Sequence, residues 1–327
     1  MLASVALLTA VLVGATAATG VASAAPTVPS VPTITHVVTE GPRQYAAYVY
    51  SVAMAKEIKV QVLVPERERG PRPVMYLLSG LGEADPQNSI WLIKSDVKRF
   101  FAEKNVTVAM PLAGNGSFYT DWLRDDPVLG RYKWETFLTQ ELPPLLNKRF
   151  SGNGRQGIAG LSMGAGSGLI LGVRHPGFYS SLAAYSGCFT TTGIAGQGYV
   201  RAIVRAFKGN ADNMWGAPDN PQWAAHDVLM HAGGLRGSTV YVSVGTGRPG
   251  RYDAPGYPGN TNPTDRQLVG GGIEVGALYC TRELQNRMAQ LGVPATFHYD
   301  DPGTHSWPYW VDQLHRSWPT LARGLGL

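Results

Sequence analysis

RQGIAGLSMGAGSGLIL, residues 155–171, is the stretch from which the rest of the chain is read. It reads as a short strand (Gln156 to Ala159), one exposed serine and the start of a helix. Its centre, Gly160-Leu161-Ser162-Met163-Gly164, is a G-x-S-x-G. In a nucleophile elbow of this kind a sharp strand-to-helix turn lifts the serine hydroxyl clear of the sheet. Glycines two before and two after the serine leave room for that turn. The helix begins just behind the hydroxyl, and its free N–H groups favour negative charge there. The same letters also occur in glycine-rich loops whose serine is only a turn residue. The flanks favour the elbow: an apolar strand precedes it, and Leu169, Ile170 and Val173 follow at helical spacing up to His175-Pro176.

Working outward, strand-like runs precede the elbow at Tyr45 to Val52, Lys56 to Val64, Pro73 to Ser79 and Val106 to Met110. The third, PVMYLLS, is continuously apolar, as expected of a strand buried on both faces. Helical spacing is found at Asp96 to Lys104 and Glu135 to Phe150, the latter with Pro143-Pro144 inside it and hence a kink or restart. After the elbow come strands at Leu182 to Tyr185, Thr239 to Val244 and Ala295 to Tyr299, and a helix from Glu274 to Leu291 stopped by Gly292 and Pro294. Strands alternating with helices predict an α/β fold with a mostly parallel central sheet, its N-terminal strands antiparallel at one edge. No internal repeat and no domain break is visible, so residues 43–327 read as a single domain. Two irregular regions, Thr190 to Trp223 and Gly245 to Gly272, read as insertions over one face.

The first 24 residues, apolar and small, end Ala22-Ser23-Ala24 and read as a signal peptide cleaved near Ala24-Ala25. The basic residues that usually open such a leader are missing. The apolar run Val5 to Val13 is far short of the ~20 residues that span a bilayer, and no later segment is long enough. Residues 25–42 read as an irregular lead-in. The chain therefore reads as secreted. Its net charge of +5 comes from scattered Lys and Arg, which argues against nucleic acid as a partner and suits an anionic envelope surface. There are two cysteines, Cys188 and Cys280. In a secreted chain they suggest a disulfide, worth roughly 4 kcal/mol in the chain-entropy model. The alternative is two buried thiols that never meet. Neither has a neighbour at metal-ligand spacing, so a zinc site is not expected.

A serine elbow needs a base and an acid, in the chain order Ser…Asp/Glu…His with the histidine after the last strand. His305 holds that position, whereas His36, His175, His226, His231, His298 and His315 do not. The acid lies beyond the Thr239 to Val244 strand, where Asp253, Asp265 and Glu274 all stand, and position does not choose among them. Developing oxyanion charge needs two donors. One is the N–H of Met163. The other comes from the loop after an early strand, Leu81 in Ser79-Gly80-Leu81-Gly82.

Several blocks resemble the antigen 85 mycolyltransferases of mycolic-acid-producing actinobacteria: LLSGL (Leu77 to Leu81), SFYTDW (Ser117 to Trp122), YKWETFLT (Tyr132 to Thr139), GLSMGAGSG (Gly160 to Gly168), NMWG (Asn213 to Gly216) and GTHSWPYW (Gly303 to Trp310). The resemblance implies an α/β-hydrolase fold in a secreted acyltransferase. Such an enzyme moves a mycolyl chain from trehalose monomycolate to another trehalose ester or to cell-wall arabinogalactan, without cofactor or metal. It implies Ser162 as nucleophile, His305 as base, Glu274 as acid, and Leu81 and Met163 as oxyanion donors. Ser306 and Trp307 match residues beside the family's sugar pocket. Three positions depart. Ser79 and Gly82 stand where the family often has Asp and Arg holding trehalose, and Gly164 replaces its Ala or Ser. A hydrolytic carboxylesterase and a non-catalytic adhesin are the competing expectations for the same fold.

Overall fold

The apolar runs on either side of the elbow become strands of one sheet. The structure, a computed structural model, describes residues 29–67, 69–81 and 85–327. The expected signal peptide and Gly82 lie outside the described residues. In chain order the strands are β1 (Thr33–Gly41), β2 (Gln44–Ser51), β3 (Lys56–Leu63), β4 (Arg72–Leu78), β5 (Thr107–Pro111), β6 (Gly152–Leu161), β7 (Tyr179–Tyr185), β8 (Thr239–Gly245) and β9 (Thr296–Asp300). Their order across the 9-stranded sheet is β1-β2-β3-β5-β4-β6-β7-β8-β9. β1, β2, β3 and β5 pair antiparallel, and every pair from β5 through β4 to β9 is parallel. The antiparallel edge expected for the N-terminal strands is therefore present.

The alternation of side chains along a strand divides the core in two. On β4, Val74, Tyr76 and Leu78 join one apolar cluster, while Met75 and Leu77 join the other. Helix α1 (Leu142–Arg149) and the elbow helix α2 (Met163–Arg174) cover the first face with Leu142, Leu146 and Leu169. The longest helices beyond the elbow are α3 (Gly193–Ala206), α4 (Gly271–Gln290) and α5 (Trp307–Leu325). Helix α5 covers the second face with Trp310, Leu314, Leu321 and Leu325. Every residue of β4 is buried, as its unbroken apolar run requires.

Several expectations are corrected. The lead-in is not irregular throughout, because its Thr- and Val-rich half pairs with β2 as the edge strand β1. The region Thr190 to Trp223 is not irregular: it contains α3 and a short helix, Ala211–Trp215. Gly193, Gly196 and Gly198 disguise α3, whose Val200 and Val204 are buried on one face. The helix expected over Asp96 to Lys104 is only Val97–Phe100, and Ile90–Lys94 precedes it. Across Glu135 to Phe150 the expected kink or restart takes the form of a change in winding. A π-helical turn, Phe137–Glu141, leads into α1, whose first turn takes the prolines where no intrahelical N–H is needed.

Candidate active site

Ser162 sits at φ 53° and ψ −121°, a left-handed conformation that a serine adopts only under constraint from its surroundings. The flanking glycines explain how the chain closes around it. A Cβ on Gly160 would lie 2.2 Å from the carbonyl oxygen of Gly164, and one on Gly164 would lie 2.3 Å from that of Ser79. The Ser162 N–H donates to the Tyr185 carbonyl at 2.9 Å, tying the elbow to the end of β7.

His305, in the loop between β9 and α5, places Nε2 3.0 Å from Ser162 Oγ. Its Nδ1 lies 2.7 Å from Glu274 Oε2. With a carboxylate as partner, Nδ1–H donates and Nε2 is left to accept from the serine hydroxyl. Glu274 comes from the first turn of α4 and is fully buried. A buried carboxylate needs its lone pairs satisfied. Here Oε1 accepts from Ser186 Oγ at 2.7 Å and from the Gly245 N–H at 2.5 Å. Trp310 donates its indole N–H to Ser186 Oγ at 3.1 Å and stands edge-on to the His305 ring, with centroids 4.9 Å apart. Ser162 and Glu274, distant in the chain, thus meet on one imidazole, and Ser186 and Gly245 hold the carboxylate.

The other two acids do not meet it. Asp253 is fully buried, but its carboxylate accepts from Thr304 Oγ1 at 2.7 Å, Tyr309 OH at 2.7 Å and the Gly250 N–H at 2.8 Å. It fastens the long loop after β8 to the residue preceding His305. Burial and that contact with Asp253 hold the Tyr309 phenol well above its ordinary pKa. Asp265 is exposed at the surface.

The loop after β4 runs beside the serine: a Cβ on Gly80 would lie 3.3 Å from Ser162 Cβ. Tyr119 OH accepts from the Ser79 N–H at 3.2 Å, and the Leu81 carbonyl accepts from the Gly116 N–H at 3.2 Å. These contacts hold the loop that ends in Leu81; Met163 is the first residue of α2, and its N–H has no partner within its own helix. Sequence reasoning missed Tyr119. It lies in the SFYTDW block and takes a positive φ of 48°, but no pattern announces a side chain that reaches back to Ser79.

Two cavities meet at this point. One, of about 750 Å³, is mostly apolar and opens on Ser162 and His305 between α3 and α4, with Ile194, Tyr199, Ile273 and Val275 in its walls. The other, of about 630 Å³, is more polar; Ser306 and Trp307 line it together with Asn260, Asn262, Asp265 and Lys94. His305 and Ile273 belong to both. Trp307 is held edge-on by Trp91 and Trp310, with centroids 5.2 and 5.4 Å apart. Cys188 and Cys280 are bonded to one another, and both line the apolar cavity.

A parallel sheet with a serine on a strained turn after β6 and a histidine after the last strand is the architecture of an α/β-hydrolase. The putative esterase family matches residues 51–321. The diacylglycerol acyltransferase/mycolyltransferase Ag85A of Mycobacterium ulcerans is 34% identical over 296 residues, covering 85% of this chain and 80% of that one. Ag85B of Mycobacterium leprae is 31% identical over 297 residues, covering 85% and 83%. The chain belongs to the esterase family and, within it, to the antigen 85 acyltransferases. The crystal structure of Mycobacterium tuberculosis MPT51 (FbpC1) superposes with a TM-score of 0.69 at 25% identity, covering 84% of this chain and 96% of that one. An S-formylglutathione hydrolase from Agrobacterium tumefaciens shares the fold, with a TM-score of 0.65 at 18% identity, covering 90% and 99%. Among the described residues, no helix is long and apolar enough to cross a membrane.

Proposed function

We propose that this chain is a secreted serine acyltransferase that moves a long acyl group, a mycolyl chain, from a trehalose ester to a sugar hydroxyl through an acyl-Ser162 intermediate. The supporting observation is the pair of cavities, one apolar and one polar, that share His305. A hydrolase needs room for an acyl chain and for water. A transferase also needs a seat from which an acceptor hydroxyl reaches the same imidazole. The polar cavity offers amide and carboxylate side chains and the Trp307 face, a combination suited to sugar hydroxyls. Lys94, Asp265 and Arg266 bring charge to its lining, while Ser79, which stands where the resembling family often has Asp, is buried.

In this mechanism His305 Nε2 takes the Ser162 proton as Oγ attacks the ester carbonyl. The Leu81 and Met163 N–H groups hold the resulting oxyanion. Each such donor is worth about 3 kcal/mol of transition-state stabilisation. Glu274 keeps Nδ1 protonated and offsets the positive charge that His305 acquires. The imidazolium then gives its proton to the departing sugar oxygen, leaving the acyl group on Ser162. An acceptor hydroxyl in the polar cavity gives its proton to His305 and attacks the acyl carbonyl. The Ser162 oxygen leaves and is reprotonated. Every proton is moved by His305, so no further acid or base is required.

The test is purified protein with trehalose monomycolate. Transfer predicts trehalose dimycolate, or a mycolylated added sugar. Free mycolate alone at high acceptor would instead identify a hydrolase. A fluorophosphonate probe that labels the wild type no better than Ser162→Ala would identify a non-catalytic binding protein. Export is tested separately, by whether a mature chain starting near Ala25 is recovered outside the cytoplasm.

A further inference from the structure

The segment that carries Glu274 is rich in glycine and buries few large side chains of its own. Gly270, Gly271, Gly272 and Gly276 surround the acid, and glycine is the weakest helix former after proline. The turn that enters α4, Arg266–Gly270, is π-helical. The outward side chains Ile273, Val275 and Tyr279 are exposed, while the buried ones beside the acid are only Gly271 and Ala277. Most helical stability comes from burying an apolar face. On α4 the large buried side chains, Leu284 and Met288, begin well beyond Glu274.

Cys280 adds a covalent anchor to the hydrogen bonds that the Glu274 carboxylate accepts from Ser186 and Gly245 and that the Gly270 carbonyl accepts from the His305 N–H. It lies less than two turns after Glu274 and is bonded to Cys188, with Cα atoms 5.0 Å apart. Cys188 lies just beyond Ser186, whose Oγ donates to Glu274 Oε1 at 2.7 Å. The same two segments, 92 residues apart at the cysteines, are therefore joined twice, by a hydrogen bond at the carboxylate and by a covalent bond one cavity wall away. The Cys188 segment is itself seated on the elbow helix. A Cβ on Gly166 would lie 2.6 Å from the Cys188 carbonyl oxygen, and one on Gly187 would lie 2.7 Å from Ala165 Cβ. The disulfide thus ties the acid's helix to the segment seated on α2, which begins just after Ser162.

We propose that the Cys188–Cys280 disulfide is a positioning group for the reaction: it holds the glycine-rich start of α4 so that Glu274 stays under His305. This rests on the assignment of Ser162, His305 and Glu274 made above. Without the bond, the sheet and both core clusters remain, and the acid turn is the part that loosens.

The full mature protein and its Cys188→Ser/Cys280→Ser variant are compared with p-nitrophenyl butyrate, whose short chain depends little on the cavity. Assays are run at a temperature where circular dichroism shows both to be folded. The expected result is a kcat about 10²-fold lower, the loss that a misplaced catalytic group brings, with little change in KM. Glu274→Gln combined with the cysteine variant should lose no more than Glu274→Gln alone, because the group being positioned is then absent. Losses that multiply, or a kcat within about twofold of wild type alongside a lower melting temperature, would overturn the proposal and leave the bond a purely structural staple. If the double variant does not fold, wild type reduced with tris(carboxyethyl)phosphine gives the same comparison, and reoxidation should restore kcat. Fluorophosphonate labelling of Ser162→Ala, run alongside, reports on the nucleophile alone. Undiminished labelling there would break the underlying assignment whatever the cysteines do.

Discussion

Ser162 and Gly164 carry the sharpest residue-level consequences. Ser162→Ala removes the proposed nucleophile, and kcat with an activated ester should fall by about 10³-fold or more, leaving what the oxyanion donors and binding supply. Glu274→Gln keeps the shape but removes the carboxylate facing Nδ1, and kcat should fall by between about 10² and 10⁴-fold. A loss under tenfold would mean that the imidazole is oriented by Trp310 and its loop instead. Gly164 is a different kind of constraint. Alanine is common there in the resembling family, yet here a Cβ would lie 2.3 Å from the Ser79 carbonyl oxygen, a backbone atom. Gly164 and the altered loop beginning at Ser79 therefore belong together. Gly164→Ala should push that loop, and Leu81 with it, away from Ser162. The expected outcome is a melting temperature several degrees lower and a kcat reduced about 10²-fold. An unchanged kcat would show that the loop yields without displacing the donor.

At the scale of elements, α3 and α4 make walls of the apolar cavity. Helix α3 was not legible because helix propensity and hydrophobic spacing disagree over Gly193 to Gly198. Tertiary burial of Val200 and Val204 decides the outcome. Helix α4 was legible because its length and its Gly292 and Pro294 stop are local signals. Its Gly276 lines the apolar cavity, and a Cβ added there would meet nothing within 4 Å. Gly276→Leu should therefore be accommodated and should occupy acyl space. The ratio of kcat/KM for a p-nitrophenyl palmitate to that for the butyrate should fall about tenfold or more, as expected when a pocket loses room for methylenes. An unaltered ratio would place the acyl chain elsewhere.

For the whole molecule, the α1 side of the sheet holds a buried polar cluster whose shifted groups bear on acid stability. Glu135 accepts from Arg174 Nε at 2.8 Å and lies 2.7 Å from His175 Nε2; burial alone would raise its pKa, but these partners bring it below the usual value. His226 is buried nearby: Nδ1–H donates to the Gln222 carbonyl at 2.7 Å, and Nε2 accepts from Thr120 Oγ1 at 2.9 Å. Burial first, and then the Arg174 charge, push the His226 pKa from 6.5 down to about 4. The unfolded chain therefore binds a proton between those values that the folded protein refuses. Stability is fully present above the unfolded pKa and is lost as the pH falls through the folded one, by about 3 kcal/mol between pH 7 and 4 for this group. Urea unfolding should show that His226→Gln, though less stable at pH 7, loses correspondingly less on acidification. Equal losses in the two proteins would remove His226 as the cause.

The sequence by itself determined the strand-elbow-helix, the parallel sheet with its antiparallel edge, and the place of His305 after the last strand. These follow from spacing and turn chemistry that act over a few residues. The residues alone left Asp253, Asp265 and Glu274 open, and family resemblance pointed to Glu274. Only the tertiary structure brings that carboxylate to 2.7 Å from His305 while turning Asp253 toward Thr304 and Tyr309. Only the tertiary structure aims Tyr119 at Ser79, joins Cys188 to Cys280, and opens an apolar and a polar cavity on the same imidazole. The reason is distance along the chain. A turn or a strand is chosen by neighbours, whereas a site is made by side chains tens to hundreds of residues apart, whose meeting is set by how the layers pack.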